Sequence, residues 1–133
     1  KLLDPEDHKH WTGVDNARIL ANLEIVREVV AASSGMKRLW IRTPLIPDAT
    51  ASPGNLAAIG AHLAATLNGS VERWELCAFN NLCRDKYERL GMEWTFADTP
   101  LYSQAELDRL GTWAKSSGFD PARTFVTGAA RVE

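Results

Sequence analysis

The sequence predicts an α/β fold with parallel strands and flanking helices, and three observations predict it. Segments with helical period alternate with β-branched and aromatic runs, the order that builds βαβ units and a parallel sheet. The run VERWELCAF (71–79) puts Trp74, Leu76 and Ala78 on one face and Arg73, Glu75, Cys77 and Phe79 on the other. Large side chains on both faces suit a parallel sheet better than a one-sided hairpin. The 133 residues, 45% hydrophobic and 24% charged, fit a single globular domain with one core.

The first stretch, KLLDPEDHKHWTG, reads as a polar loop with solvated histidines. Ile19, Leu23, Val26 and Val30 then recur at helical spacing. Asp15 or Asn16 caps that helix, and SSG (33–35) stops it, with Gly35 suited to the left-handed conformation. RLWIRTPLIP (38–47) is a short strand closed by Pro44 and Pro47, which cannot donate to a ladder. Ser52 caps the next helix, Pro53 takes its first position, and Leu56, Ile59, Leu63 and Leu67 form its buried stripe. NGS (68–70) turns the chain into the strand at 71–79.

Residues 80–102 are a long loop in which RDKYERLG allows a turn or two of helix, and loops of this length in a compact domain are often functional. Ser103 and Glu106 make a capping box before Leu107, Leu110 and Ala114, and Gly118 is the stop. RTFVTG (123–128) is either one more short strand or a tail. Two strands and a doubtful third make a thin sheet, so a piece is expected to be missing on the N-terminal side. The absence of an initial methionine points the same way.

The formal net charge is -2 with no basic block, which excludes nucleic acid as the main ligand. No apolar run is long enough to cross a bilayer and no secretion signal is present, so no membrane association and a cytoplasmic location are expected. Cys77 and Cys83 match neither C-x-x-C nor zinc-finger spacing and read as free thiols. His8 and His10 form an H-x-H pair, but a catalytic zinc site needs three protein ligands and none completes the set.

Ligands of α/β sheets collect at the carboxyl ends of the strands, which selects Arg42 with Thr43, then Phe79, Asn80 and Asn81. Arg42 either binds a carboxylate or phosphate or pairs with an internal acid such as Glu75. Asn80 either reads a polar ligand edge or starts the turn. G-x-S-x-G, H-E-x-x-H, P-loop and G-x-G-x-x-G patterns are all absent. Trp11, Trp94 and Trp113 are irregularly spaced and read as packing or partner surfaces.

KLLDPEDHKHWTGVDNARILANL, LWIRTPLIP and VERWELCAFNNLCRDKYERLG, in that order up to about Trp94, carry a family likeness. They resemble the C-terminal half of the radical SAM activating enzymes of glycyl radical enzymes, the group typified by the pyruvate formate-lyase activating enzyme. The resemblance implies the C-terminal half of a partial (β/α)6 TIM-like barrel, one domain over 1–133 without the N-terminal half that binds the cluster. In that family S-adenosyl-L-methionine and a [4Fe-4S] cluster on a C-x3-C-x2-C loop yield a 5'-deoxyadenosyl radical. The radical takes a hydrogen from a glycine of the partner glycyl radical enzyme. These are anaerobic oxidoreductases, and a reductant such as flavodoxin or ferredoxin supplies the electron.

Carried over by position, the resemblance makes Lys1, Arg42 and Asn80 the S-adenosylmethionine contacts. Lys1 matches a lysine that ends a barrel strand, and Arg42 the arginine of the W-I-R strand. Asn80 stands where many members have the histidine of P-Y-H; an amide donates and accepts there but carries no charge. PDATAS also departs from the family's P-G-x-N-D-S, and the three-cysteine motif is absent. No catalytic residue and no metal ligand is therefore assigned to this chain, which is expected to be inactive alone. A half barrel exposes strand edges, so self-association is expected. The alternatives are a stand-alone α/β binding module without redox chemistry and a piece of an unrelated (β/α) barrel.

Overall fold

The computed structural model describes residues 1–35, 38–67 and 69–132. The NGS turn falls partly outside the described residues, because Asn68 is not among them. Three strands, β1 (Leu39–Leu45), β2 (Val71–Ala78) and β3 (Thr124–Thr127), form one parallel sheet in the order β1-β2-β3. The helices are α1 (Pro5–Thr12), α2 (Ala17–Ala31), α3 (Pro53–Thr66), α4 (Arg84–Arg89) and α5 (Gln104–Lys115). Alternation of strand and helix thus gives the parallel sheet with flanking helices that it predicts, and RTFVTG supplies the third strand.

Local chemistry explains the best-defined helices. Ser52 accepts from the Asn55 N–H at 3.1 Å, with Pro53 in the first turn of α3. Ser103 and Glu106 close a capping box on α5: the Ser103 N–H donates to Glu106 Oε2 at 2.7 Å, and the Glu106 N–H donates to the Ser103 hydroxyl at 3.3 Å. Leu56, Ile59 and Leu63 of α3, Leu107, Leu110 and Ala114 of α5, and Leu45, Trp74, Leu76 and Ala78 of the sheet then form one core. Trp74 is fully buried and donates its indole N–H to the Thr43 hydroxyl at 3.0 Å, tying β2 to β1.

The structure corrects three expectations: the loop at DHKHW, the end of β1 at Pro44 and the buried stripe of α2. The DHKHW stretch is not a loop but helix α1, whose N-cap Asp4 accepts from the Glu6 and Asp7 N–H groups at 2.9 and 3.0 Å. Pro5 opens it and Gly13, at φ 81, ends it. Pro44 lies inside β1 rather than closing it, which an edge strand tolerates because one of its sides needs no donor.

Asn16 sits at the N-cap of α2 without a side-chain cap bond. Its amide donates instead to the Leu2 and Leu3 carbonyls, while Asp15 accepts from the Ala17 N–H. The stripe expected along α2 is only half covered: Leu23 and Val30 are partly buried, but Ile19 is 54% and Val26 41% exposed. α2 packs on β1, the edge strand of the sheet, and this contact leaves part of its apolar face exposed.

Candidate functional site

The sheet has two unlike faces. One packs on α3 and α5 through Thr43, Leu45, Trp74, Leu76 and Ala78; the other carries Trp40, Arg42, Arg73, Glu75, Cys77 and Phe125. Strand alternation puts the second set together: Arg42 lies opposite Glu75, and Trp40 opposite Arg73, in the β1–β2 register. Phe125 of β3 lies opposite Glu75 on the other side. Glu75 is only 8% exposed, yet it is ionically satisfied by two arginines. Arg42 Nε lies 2.6 Å from Oε2, and Arg73 Nη2 donates to Oε1 at 3.1 Å.

Of the two readings of Arg42, internal pairing with Glu75 is therefore present, but its side chain remains 67% exposed. The Cys77 sulfur first, and then the Glu75 carboxylate, raise the Arg42 pKa above the ordinary guanidinium value, so it stays cationic. Arg73 is held differently, with its guanidinium carbon 5.2 Å from the Trp40 ring centroid and 4.2 Å from that of Phe125.

Lys1 and Arg42 border one cavity of about 230 Å³ beside the edge strand. Its walls are mainly apolar and include Leu20, Leu23, Ile41 and Ile59, and His8 reaches it from α1. His8 is buried, 4% exposed, with Nδ1 2.8 Å from the Val14 carbonyl, so it is not the solvated histidine expected. Asn80 does not line that cavity. It is exposed, and its side-chain oxygen accepts from the Leu82 N–H at 3.3 Å, the turn-starting role.

At the carboxyl end of β2 the sequence reading missed a continuous aromatic ladder. His10 touches Trp11 (5.0 Å between centroids), Trp11 touches Phe96 (5.7 Å), and Phe96 meets Phe79 (6.1 Å). Phe79 then meets Trp94 (6.1 Å), which stacks on Tyr87 (5.6 Å). These rings tie the long segment after β2 to α1, so Trp11 and Trp94 are packing residues, and Trp113 packs against the core. The signal was the aromatic content of 94–96, which only the fold brings together with Phe79 and Trp11.

A larger cleft of about 480 Å³ lies between Pro47–Asp48 and the segment 94–102. Burial pushes the Tyr102 hydroxyl on its wall up to about 12, with the Glu106 and Asp48 carboxylates adding to the shift. Neither Lys1, Arg42 nor Asn80 lines it. Cys77 and Cys83 are free thiols. No group of three or more His, Cys, Asp or Glu side chains suited to a metal is present among the described residues, and none of their helices is long and apolar enough to cross a membrane.

The sheet and helices have the architecture of part of a TIM-like (β/α) barrel. Superposition on the crystal structure of a domain of pyruvate-formate lyase-activating enzyme from Bacteroides vulgatus gives a TM-score of 0.62 at 20% identity, covering 96% of this chain and 63% of that one. No family model matches the sequence. The chain is 30% identical over 118 residues to the indoleacetate decarboxylase activating enzyme of Tractidigestivibacter scatoligenes, covering 89% of this chain and 35% of that protein. It is 29% identical over 92 residues to the (2S)-3-sulfopropanediol dehydratase activating enzyme of Klebsiella oxytoca, covering 69% of this chain and 27% of that protein. The chain belongs to the activating enzymes of glycyl radical enzymes and corresponds to their C-terminal part. It spans about a third of the length of the curated relatives it matches.

Proposed function

We propose that these residues are one domain of a radical SAM activase, the C-terminal half of its barrel, serving the removal of a hydrogen atom from a glycine of a partner glycyl radical enzyme. The observation that carries this reading is the likeness, over 69–89% of the chain, to proteins named as activating enzymes. When bound in the complete enzyme, S-adenosylmethionine and a [4Fe-4S] cluster supply the radical that removes this hydrogen. A reductant such as flavodoxin or ferredoxin and a cytoplasmic setting belong to the same reading.

The chain's own part is to bind and orient S-adenosylmethionine. Lys1 and Arg42 both border one mainly apolar cavity beside the edge strand. Arg42 keeps an exposed guanidinium to donate to acceptor oxygens, whereas Asn80, outside that cavity, would offer its uncharged amide only to a part of the ligand that extends past the carboxyl end of β2. The cluster does not fit these residues. It needs three thiolates, and the chain has two cysteines, Cys77 in β2 and Cys83 at the start of α4.

Iron–sulfur reconstitution followed by reduction in the presence of S-adenosylmethionine is expected to give no cleavage products from these 133 residues. Robust reductive cleavage would refute the assignment of the chain as an incomplete piece. A C-x3-C-x2-C motif encoded directly before Lys1 would support it.

The exposed edge of β1, with Trp40 at 52% and Ile19 at 54% exposed nearby, favours self-association of the isolated chain. Sedimentation velocity is expected to show dimers or larger species at micromolar concentration. A compact monomer with one sharp unfolding transition would contradict this.

A further inference from the structure

We infer that Glu75 is a positioning residue that fixes the orientation of the Arg42 guanidinium from beneath, leaving its terminal nitrogens available to a ligand on the open face of the sheet. This rests on the reading of Arg42 as a ligand contact, and it assigns a role to a residue that does not touch the ligand itself.

Glu75 is the buried member of the set, and a carboxylate taken out of water is strongly destabilising unless it is paired. Its two oxygens are divided between two strands. Oε1 accepts from Arg73 on β2, and Oε2 contacts Arg42 Nε on β1. Arg73 cannot serve a ligand in the same way, because its guanidinium lies against the rings of Trp40 and Phe125 and its Nε is buried without a partner.

Arg42 is held at its inner nitrogen while two thirds of its side chain is open to solvent. A guanidinium anchored at Nε keeps its planar fork in one orientation, so less side-chain freedom is lost when the outer nitrogens bind. Two arginines against one glutamate also leave the face with a net positive charge, which suits an oxygen-rich or anionic ligand group.

The test uses the 133-residue chain labelled with nitrogen-15 and observed through its arginine Nε–H signals, with S-adenosylmethionine titrated by calorimetry. Arg42→Lys identifies the Arg42 signal, and at a mostly exposed position it does not threaten the fold. The expected wild-type signal is displaced from that of free arginine and slow to exchange. In Glu75→Gln it returns to the free position, and affinity for S-adenosylmethionine falls about tenfold. Glu75→Asp, which keeps the charge but retracts it by one methylene, shifts the signal partway and recovers part of the affinity.

An Nε signal unchanged in Glu75→Gln overturns the inference. So does unchanged affinity in Glu75→Gln alongside a loss in Arg42→Lys. If Glu75→Gln does not fold, an unshifted signal in Glu75→Asp overturns it equally. If the wild-type signal is displaced, depends on Glu75, and no S-adenosylmethionine binds, positioning by Glu75 stands and the S-adenosylmethionine reading fails.

Discussion

Replacing Trp74 by alanine is expected to cost about 3–5 kcal/mol of folding stability, a large part of the roughly 5–15 kcal/mol that holds a domain together. The indole is the largest fully buried side chain and sits in the central strand, edge-on to Phe119 at 6.1 Å. Truncation removes its packing against α3 and leaves a cavity that the close-packed core cannot fill by collapse. It also strips the buried Thr43 hydroxyl of its donor, and an orphaned buried polar group adds about 1–3 kcal/mol.

Trp74→Phe separates the two contributions. The phenyl ring keeps most of the apolar volume but cannot donate to Thr43, so a loss of about half that of alanine is expected. Urea titration followed by circular dichroism reads both variants. A cost below about 1 kcal/mol for Trp74→Ala would mean that β2 is not the centre of the core. Because Glu75 is the next residue and faces the other way, the same loosening is expected to disturb its hold on Arg42.

What was legible in the sequence was mostly what is decided within a turn of chain. The Ser52–Pro53 start and the Ser103–Glu106 box are local chemistry, and α3 and α5 begin where those residues place them. The same signals were present for α1, in Asp4, Pro5 and the acidic residues after it. Hydrophobic period does not mark this helix, because it has no apolar stripe and buries only His8. The helix α2 could be read from its period, but not its exposure, because burial depends on what lies across from a face.

The edge position that lets Pro44 stay in β1 is likewise a property of the whole sheet. At the site, Arg42 and Glu75 were readable as partners only as one of two possibilities, since the β1–β2 register decides it. The stacking of Arg73 against Phe125 needed β3 as well, a strand that its own four residues could not distinguish from a tail. Asn80 illustrates the converse. Its turn role is local and readable, whereas nothing in the fold brings it to the cavity that Lys1 and Arg42 share.

Gly60→Ala is expected to destabilise the domain by about 1–2 kcal/mol, although glycine to alanine inside a helix ordinarily gains up to about 1 kcal/mol. Gly60 lies within α3 and is buried. A Cβ there would overlap Ser117 Oγ and Ser117 Cβ and lie 3.1 Å from Trp74 Cζ3. The hydroxyl can rotate away, at the loss of its bond to the Ala114 carbonyl, but the Ser117 Cβ cannot move without its backbone. That backbone is the turn that ends α5, followed by Gly118 at φ 98, so relief requires α3 and α5 to separate.

Separation loosens the contact of Leu56, Ile59 and Leu63 with Leu107, Leu110 and Ala114, and overpacking of this kind costs about 1–3 kcal/mol, more than the helix gains. Two comparisons isolate the cause. Gly54→Ala, in the first turn of the same helix with open space around its Cβ, is expected to be neutral or mildly stabilising. Gly60→Ala combined with Ser117→Gly removes the overlap and is expected to recover most of the loss, a coupling that independent sites would not show. If Gly60→Ala alone raises the urea midpoint as Gly54→Ala does, the approach of α3 to α5 is not set by the missing side chain at position 60.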